Sequence, residues 1–311
     1  MVPASMDPRT STGSSDRRID FIVAGAQKAG TTTLDVVLRQ HPQVQLPIFK
    51  ELHFFDRRQF FPPDGPPDYE AYHRHWDWGR TGVLRGEVSP SYLGLPVARE
   101  RMARYSADLR VICILRNPVS RAYSAWNHWV RRGGERLSFH EALLAEDSRL
   151  ADRAARGLDG YGGYGYRSLS EYASQLEALW RLIPRERTIA VQLEALQRNP
   201  DETMRRITDF LGIAPHRFGS IGRRNARFKF GDMHPDTSRW LIERLEPEIA
   251  RIEESLGWDC SSWRKPKGSK RLWAVGETVR RAALPFSFVK PPLERLRARI
   301  GAWRRTRAGL A

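Results

Sequence analysis

Cysteine is nearly absent, with two in 311 residues. That excludes a disulfide framework and a cysteine-built metal centre. Cys113 sits inside the apolar run Val-Ile-Cys-Ile-Leu and reads as a core residue, while Cys260 lies in a polar stretch. Long apolar runs are missing too. No stretch approaches the roughly 20 residues that a membrane-spanning helix needs, and no basic start leads into an apolar segment as in a secretory signal. The expected compartment is therefore the cytoplasm. Lysine is scarce, seven against 45 arginines, a bias that fits GC-rich, bacterial-type coding. In a chain that normally supplies positive charge as arginine, each lysine inside a motif carries information.

What is present is enough for a real core. Apolar residues make up 41% of the chain, with ten Trp and thirteen Phe, which suits one large folded domain. The formal charge of +16 is uneven. Residues 262–311 hold fourteen Lys or Arg against two acids, Glu277 and Glu294, so twelve of the sixteen positive charges lie there. The expected organisation is a disordered Pro/Ser/Thr-rich start over 1–17, a domain over 18–261 and a basic extension over 262–311.

Along the domain, apolar runs alternate with amphipathic stretches. Strands are expected over Ile19–Ala24, Val83–Val88, Leu109–Leu115 and Thr188–Leu193. Helices are expected over Thr31–Gln40 (with a hydroxyl cap at its start), Val119–Arg131, Phe139–Ala145, Leu169–Leu182, Asp201–Leu211 ending at Gly212, and Thr237–Leu256 ending at Gly257. A turn-rich segment follows the first helix. Strands alternating with helices predict an α/β fold, a central parallel β-sheet flanked by helices.

The most informative stretch is Gly25-Ala26-Gln27-Lys28-Ala29-Gly30-Thr31-Thr32-Thr33. A Gly-bounded loop between a strand and a helix aims backbone N–H groups at an anion, and the helix dipole adds to the attraction. The two glycines have Walker A spacing, but Thr follows Gly30 where Walker A has Lys. The lysine falls two places before Gly30, at Lys28, nearer an α-phosphate and whatever it carries. No apolar strand ends in an Asp placed like Walker B, so no metal is expected. A sulfuryl group carries less charge than a phosphoryl group, and lysines with backbone amides suffice for it.

Two further segments follow in order. Lys50-Glu51-Leu52-His53-Phe54-Phe55-Asp56 puts a cation, a carboxylate and an imidazole within four residues, an arrangement that can deprotonate a hydroxyl. Phe54 and Phe55 read as core. Leu115-Arg116-Asn117-Pro118 places an arginine fork at the C-terminal end of a buried strand, with Arg121 and Ser124 behind it.

Together these three segments resemble the sulfotransferases that use 3′-phosphoadenosine 5′-phosphosulfate (PAPS), in particular the heparan sulfate sulfotransferase branch, over roughly residues 20–258. The resemblance implies a P-loop NTPase-like sulfotransferase fold. It makes Gly25, Gln27, Lys28, Ala29, Gly30, Thr31, Thr32 and Thr33 the 5′-phosphosulfate loop. It makes Arg116 and Ser124 the 3′-phosphate site and Glu51 the base, with Lys50 and His53 in support. A late basic loop folds over the cofactor in that family, which points to Arg227 and Lys229 here, with Phe228 or Phe230 placed to stack on adenine. Adenosine 3′,5′-bisphosphate would be the product. Gly86-Glu87-Val88-Ser89-Pro90-Ser91-Tyr92 resembles another family segment, with Val88 standing where the family has lysine. Arg85 is a candidate to restore that charge, and Ser89 and Ser91 are candidate hydroxyl donors.

The acceptor implied is a hydroxyl, less readily an amine, on a sugar, phenol, lipid or natural product. Residues 61–92 and 134–166 are expected to shape its cleft, with Tyr161, Tyr164 and Tyr166 in a mobile aromatic loop. In the extension, residues 293–307 suggest a basic helix suited to an anionic membrane surface, with the protein peripheral to the membrane, and no nucleic-acid motif accompanies it. Two other readings remain at this point: a P-loop kinase-like phosphotransferase, and a non-catalytic module that binds polyanions or membranes.

Overall fold

A computed structural model describes residues 17–157, 163–219 and 231–283. Five strands form one sheet: β1 (Phe21–Gly25), β2 (Val44–Gln45), β3 (Leu84–Val88), β4 (Arg110–Leu115) and β5 (Thr188–Gln192). The helices are α1 (Thr31–Leu38), α2 (Tyr69–His73), α3 (Pro96–Tyr105), α4 (Pro118–Arg131), α5 (Phe139–Leu144), α6 (Glu146–Ala155), α7 (Tyr172–Trp180), α8 (Leu193–Arg198), α9 (Pro200–Leu211), α10 (Pro235–Leu256) and α11 (Lys270–Ala283). The strand order is β2-β3-β1-β4-β5, with every pairing parallel.

The continuous apolar runs of β1 and β4 follow from burial on both sheet faces. Phe21, Val23, Ile112 and Ile114 pack with Leu34 and Leu38 of α1 and Ile207 and Leu211 of α9. Their sheet neighbours Ile22, Ala24, Val111 and Leu115 pack in the opposite layer with Ala122 of α4, Leu176 of α7 and Leu241 and Leu245 of α10. Each fully buried Val, Leu, Ile or Phe side chain among them contributes about 1.5–3 kcal/mol. Cys113 and Cys260 are both buried.

The four expected strands and six expected helices are present within a few residues. Several features differ. The start of α1 has no hydroxyl cap: Gly30 is the N-cap, at φ 100°, and Thr31 is buried. A Cβ at Gly30 would stand 2.5 Å from Leu193 Cδ1, so the loop requires glycine there for both conformation and close approach. The turn-rich segment holds β2 and α2, and α3 follows β3 where no element was expected. In α3 the buried residues Ala98, Met102 and Tyr105 are spaced four and three apart, a helical period hidden among arginines.

Packing also continues past residue 261, so the expected boundary there cuts through structure. Trp263 is buried in the core, and Arg264 pairs with Glu246 at 2.7 Å and with Glu253 at 2.8 Å. The basic helix expected over 293–307 lies outside the described residues. Among those described, no helix is long and apolar enough to cross a membrane.

Candidate active site

Parallel strands bring the described candidate segments to one end of the sheet. From β1 the chain crosses toward β2, and from β4 it crosses the other way toward β5, which leaves a crevice at their C-terminal ends, where open α/β sheets bind ligands. The loop after β1 is tied to β4 by Ala26 N donating to Ile114 O at 2.7 Å. The segment after β3 is tied to β1 by Ser89 N to Val23 O at 3.1 Å and Leu93 N to Ala24 O at 2.9 Å.

The loop after β1 runs directly into α1, with the amides of Thr31 and Thr32 opening the helix, where no intrahelical acceptor serves them. Arg116 leaves β4 directly beside it, and its Nη1 donates to Lys28 O at 3.2 Å. Asn117 caps α4 by accepting from Ser120 N at 2.9 Å. Half-buried Ser124 lies on α4 one turn before His128. His128 Nδ1 is 3.4 Å from Lys28 Nζ, which turns this face of α4 toward the loop. Gly25, Gln27, Lys28, Ala29, Gly30, Thr31, Thr32, Thr33, Arg116 and Ser124 therefore share one neighbourhood. Arg227 and Lys229, with Phe228 and Phe230, lie outside the described residues.

The segment bearing Glu51 is held by an aromatic block. Phe54 stacks on Tyr72 at 4.3 Å, and Phe55 meets Tyr92 and Tyr105 edge-on. The Tyr92 hydroxyl accepts from Phe54 N at 2.8 Å and Phe55 N at 3.3 Å. This anchors the Lys-Glu-Leu-His turn against β3, where Glu51 N donates to Val88 O at 3.1 Å. Lys28, Glu51 and His53 all adopt left-handed backbone, with φ of 68°, 66° and 55°. Such residues cluster where surrounding structure fixes a functional geometry.

Three charged groups meet in that turn. Lys50 Nζ contacts Glu51 Oε1 at 2.5 Å, and His53 Nε2 lies 3.7 Å from Glu51 Oε2. His53 Nδ1 donates to Asp56 Oδ2 at 2.8 Å, and that oxygen also accepts from Ser91 Oγ at 2.5 Å. Burial of the Glu51 carboxyl opposes its charge, but the His53 hydrogen bond and the Lys50 ammonium outweigh that and hold it at about 2. Burial likewise opposes charge on His53, yet Asp56 and Glu51 push it up to about 9. At neutral pH the turn thus holds a carboxylate between an ammonium and an imidazolium. Behind it, burial raises the Glu87 carboxyl to about 7, with Ser89 Oγ donating to it at 3.2 Å.

The pair of shifts sets a pH dependence for stability. The raised His53 contributes fully below its unfolded value near 6.5, and that contribution is lost as pH rises through about 9. The thermal midpoint of the wild type should fall relative to that of His53→Asn between about pH 7 and 9.5. A constant difference across that range would show that His53 is not charged in the fold.

Some candidates do other work. Arg85 stacks on Trp78 at 4.7 Å and donates to Asp77 O and Arg80 O at the start of β3, so it cannot supply charge at the crevice. Val88 is packed with Phe21, Val23 and Leu34. Arg121 is fully buried, donating to Ser170 Oγ at 2.6 Å, to Gly165 O at 3.0 Å and to Tyr166 O. Tyr166 belongs to the core rather than to a mobile loop, because its hydroxyl donates to Glu135 Oε2 at 2.9 Å and Glu146 accepts from the amides of 166, 167 and 168. Tyr161 lies outside the described residues. Sequence reasoning missed Asp56 and His128 as partners of His53 and Lys28. Asp56 ends the Lys-Glu-Leu-His-Phe-Phe-Asp segment, and His128 follows Ser124 by one helical turn, so both had a local signal.

A cleft of about 300 Å³ opens beside these groups, lined in part by Ala26, Gln27 and Ser91.

The family model described as "Sulfotransferase domain" matches residues 89–247. A sulfotransferase structure from Alicyclobacillus acidocaldarius is 32% identical and covers 80% of this chain and 100% of that one, with a TM-score of 0.67. The mouse heparan sulfate glucosamine 3-O-sulfotransferase 3B1 is 30% identical over 199 residues, 62% of this chain and 45% of that protein. The human bifunctional heparan sulfate N-deacetylase/N-sulfotransferase 2 is 29% identical over 288 residues, 80% of this chain and 31% of that protein. The chain spans less than half the length of these two curated relatives. With a matching domain model over half its length, and a solved sulfotransferase 32% identical aligned over 80% of it, this chain belongs to the sulfotransferase domain family.

Proposed function

We propose that this chain moves the sulfuryl group of PAPS to an acceptor hydroxyl, with Glu51 as base and Lys28 stabilising the leaving phosphate oxygen. The observation that carries this reading is the contact of Arg116 with Lys28 O, which joins the two anion-binding segments into one site. The fit to a nucleotide with a 3′-phosphate rests on this chain's donors. Gly30 lets the loop close over Leu193, the first α1 amides face the crevice, and the Arg116 guanidinium and Ser124 hydroxyl supply a second anion subsite. When bound, PAPS supplies an activated sulfuryl group whose bond to phosphate oxygen breaks as the acceptor oxygen attacks sulfur.

Glu51, held at about 2, is ionised at any working pH. A weak base suffices in this reaction, because the acceptor proton becomes strongly acidic as its oxygen bonds to sulfur. Lys50 and His53 hold the carboxylate in place, and Asp56 orients the His53 ring. Lys28, on left-handed backbone at the loop tip, places an ammonium where negative charge grows on the leaving oxygen.

Thermal shift tests the nucleotide. Adenosine 3′,5′-bisphosphate at a hundredfold excess over its Kd should raise the melting temperature by about 5 °C. ATP with Mg²⁺ at the same concentration should give a much smaller shift. A larger shift with ATP and Mg²⁺ would favour phosphoryl transfer instead.

A further inference from the structure

We infer that the acceptor is an alcohol with an apolar body, not a polyanionic saccharide. This rests on the sulfotransferase reading above and deepens it. The cleft of about 300 Å³ runs from Gln27 of the phosphate loop and Ser91 of the His53–Asp56 cluster outward between α4 and α6. Its walls are apolar. Ala125 and Trp129 form one ridge of α4, Leu150 and Ala154 one ridge of α6, and Leu95 and Leu169 close the sides. Among the described residues that line it, Arg153 is the one charged group.

A chain of sulfates and carboxylates needs cations along its path, and bidentate arginines serve that purpose best. This cleft offers apolar surface with a few polar groups, the composition of a site for a small, largely hydrophobic ligand. Its walls are also preformed. Arg121 and Glu146 fix the 165–168 backbone that carries Leu169, through the buried bonds already described. A second observation points the same way. Ile48 and Phe49, directly before Lys50 and Glu51, are 88% and 70% exposed. Apolar side chains therefore flank the base as well as the cleft.

The transfer balances with such an alcohol. Its oxygen forms the new S–O bond, the S–O bond to phosphate breaks, and the hydroxyl proton passes to Glu51 and then to solvent. The products are a sulfate ester and adenosine 3′,5′-bisphosphate.

The test uses the full chain, labelled PAPS, a series of straight-chain primary alcohols of increasing length, and a glucosamine-containing sulfated oligosaccharide. Binding of adenosine 3′,5′-bisphosphate is measured in parallel by calorimetry. The alcohols should be sulfated, with kcat/KM rising about three- to fivefold per added methylene until the cleft is filled. The oligosaccharide should give at least a hundredfold lower kcat/KM. Leu150→Ala, which removes three carbons from the wall, should raise the KM for the longest alcohols roughly tenfold. Ala154→Glu, on an exposed part of α6, should do the same without loss of fold. Both variants should bind adenosine 3′,5′-bisphosphate like the wild type. Tight bisphosphate binding combined with preferred turnover of the oligosaccharide, no turnover of any alcohol, or no dependence on chain length would overturn the proposal and leave the sulfotransferase reading intact. Absence of bisphosphate binding would overturn both.

Discussion

Lys28→Ala is expected to lower kcat by about a hundred- to a thousandfold, the usual effect of deleting one group aimed at developing charge. The loss should fall on kcat more than on the affinity for adenosine 3′,5′-bisphosphate, because the loop amides and Arg116 remain. The fold should survive. Lys28 occupies left-handed backbone at φ 68°, and alanine bears the same strain there as lysine. Its side chain meets His128 on α4. A normal melting temperature with a collapsed kcat is therefore the expected pair of readings. Rates like those of the wild type would remove Lys28 from the chemistry and leave the loop as a simple anion cradle.

Glu51→Gln should cost a hundred- to ten-thousandfold in kcat, the range for loss of a positioned base. The amide is nearly isosteric and can still accept from Lys50, so the turn keeps its shape. What it loses is a site for the proton. It also lowers the charge between Lys50 and His53 from negative to neutral, so the His53 imidazolium loses one of the two carboxylates that hold its proton. A structural role alone would lower the melting temperature and spare kcat. A base role lowers kcat at every pH from about 5 to 9, since the wild-type carboxylate, held at about 2, does not titrate in that window. Retention of more than a tenth of the wild-type kcat would rule out Glu51 as the base.

The β1–loop–α1 part of the candidate site was legible because it is local. A strand, a Gly-bounded loop and a helix are consecutive in sequence, and their geometry needs nothing from elsewhere. Arg116 was legible for a related reason, since the end of an apolar run marks the end of a buried strand. Contacts across long separations were harder. His128 reaches Lys28 across 100 residues, and only the packing of α4 against the loop makes them neighbours. Tyr166, next to a glycine-rich stretch, looked mobile in sequence, yet buried hydrogen bonds from Arg121 and to Glu135 fix it. The helix α3 was hidden by its arginines, because Arg99 is itself buried beside Ala98, Met102 and Tyr105, its Nη1 donating to Leu93 O, and so breaks the apolar pattern of the inward face. The same blindness explains the boundary at 261. A basic, proline-containing stretch reads as a tail until Arg264 is seen between Glu246 and Glu253.

The left-handed backbone at positions 28, 51 and 53 narrows the alphabet available to mutation. Valine, isoleucine and threonine crowd their own main chain at positive φ, a cost of order 1–3 kcal/mol before any chemistry is considered. Glycine and asparagine accept that conformation readily. A saturation library at these three sites should therefore yield folded variants chiefly among unbranched residues, glycine and asparagine. Branched replacements would be depleted by misfolding and not by lost catalysis. Soluble yield, read separately from turnover, would divide each position's tolerated residues into those the backbone permits and those the reaction permits.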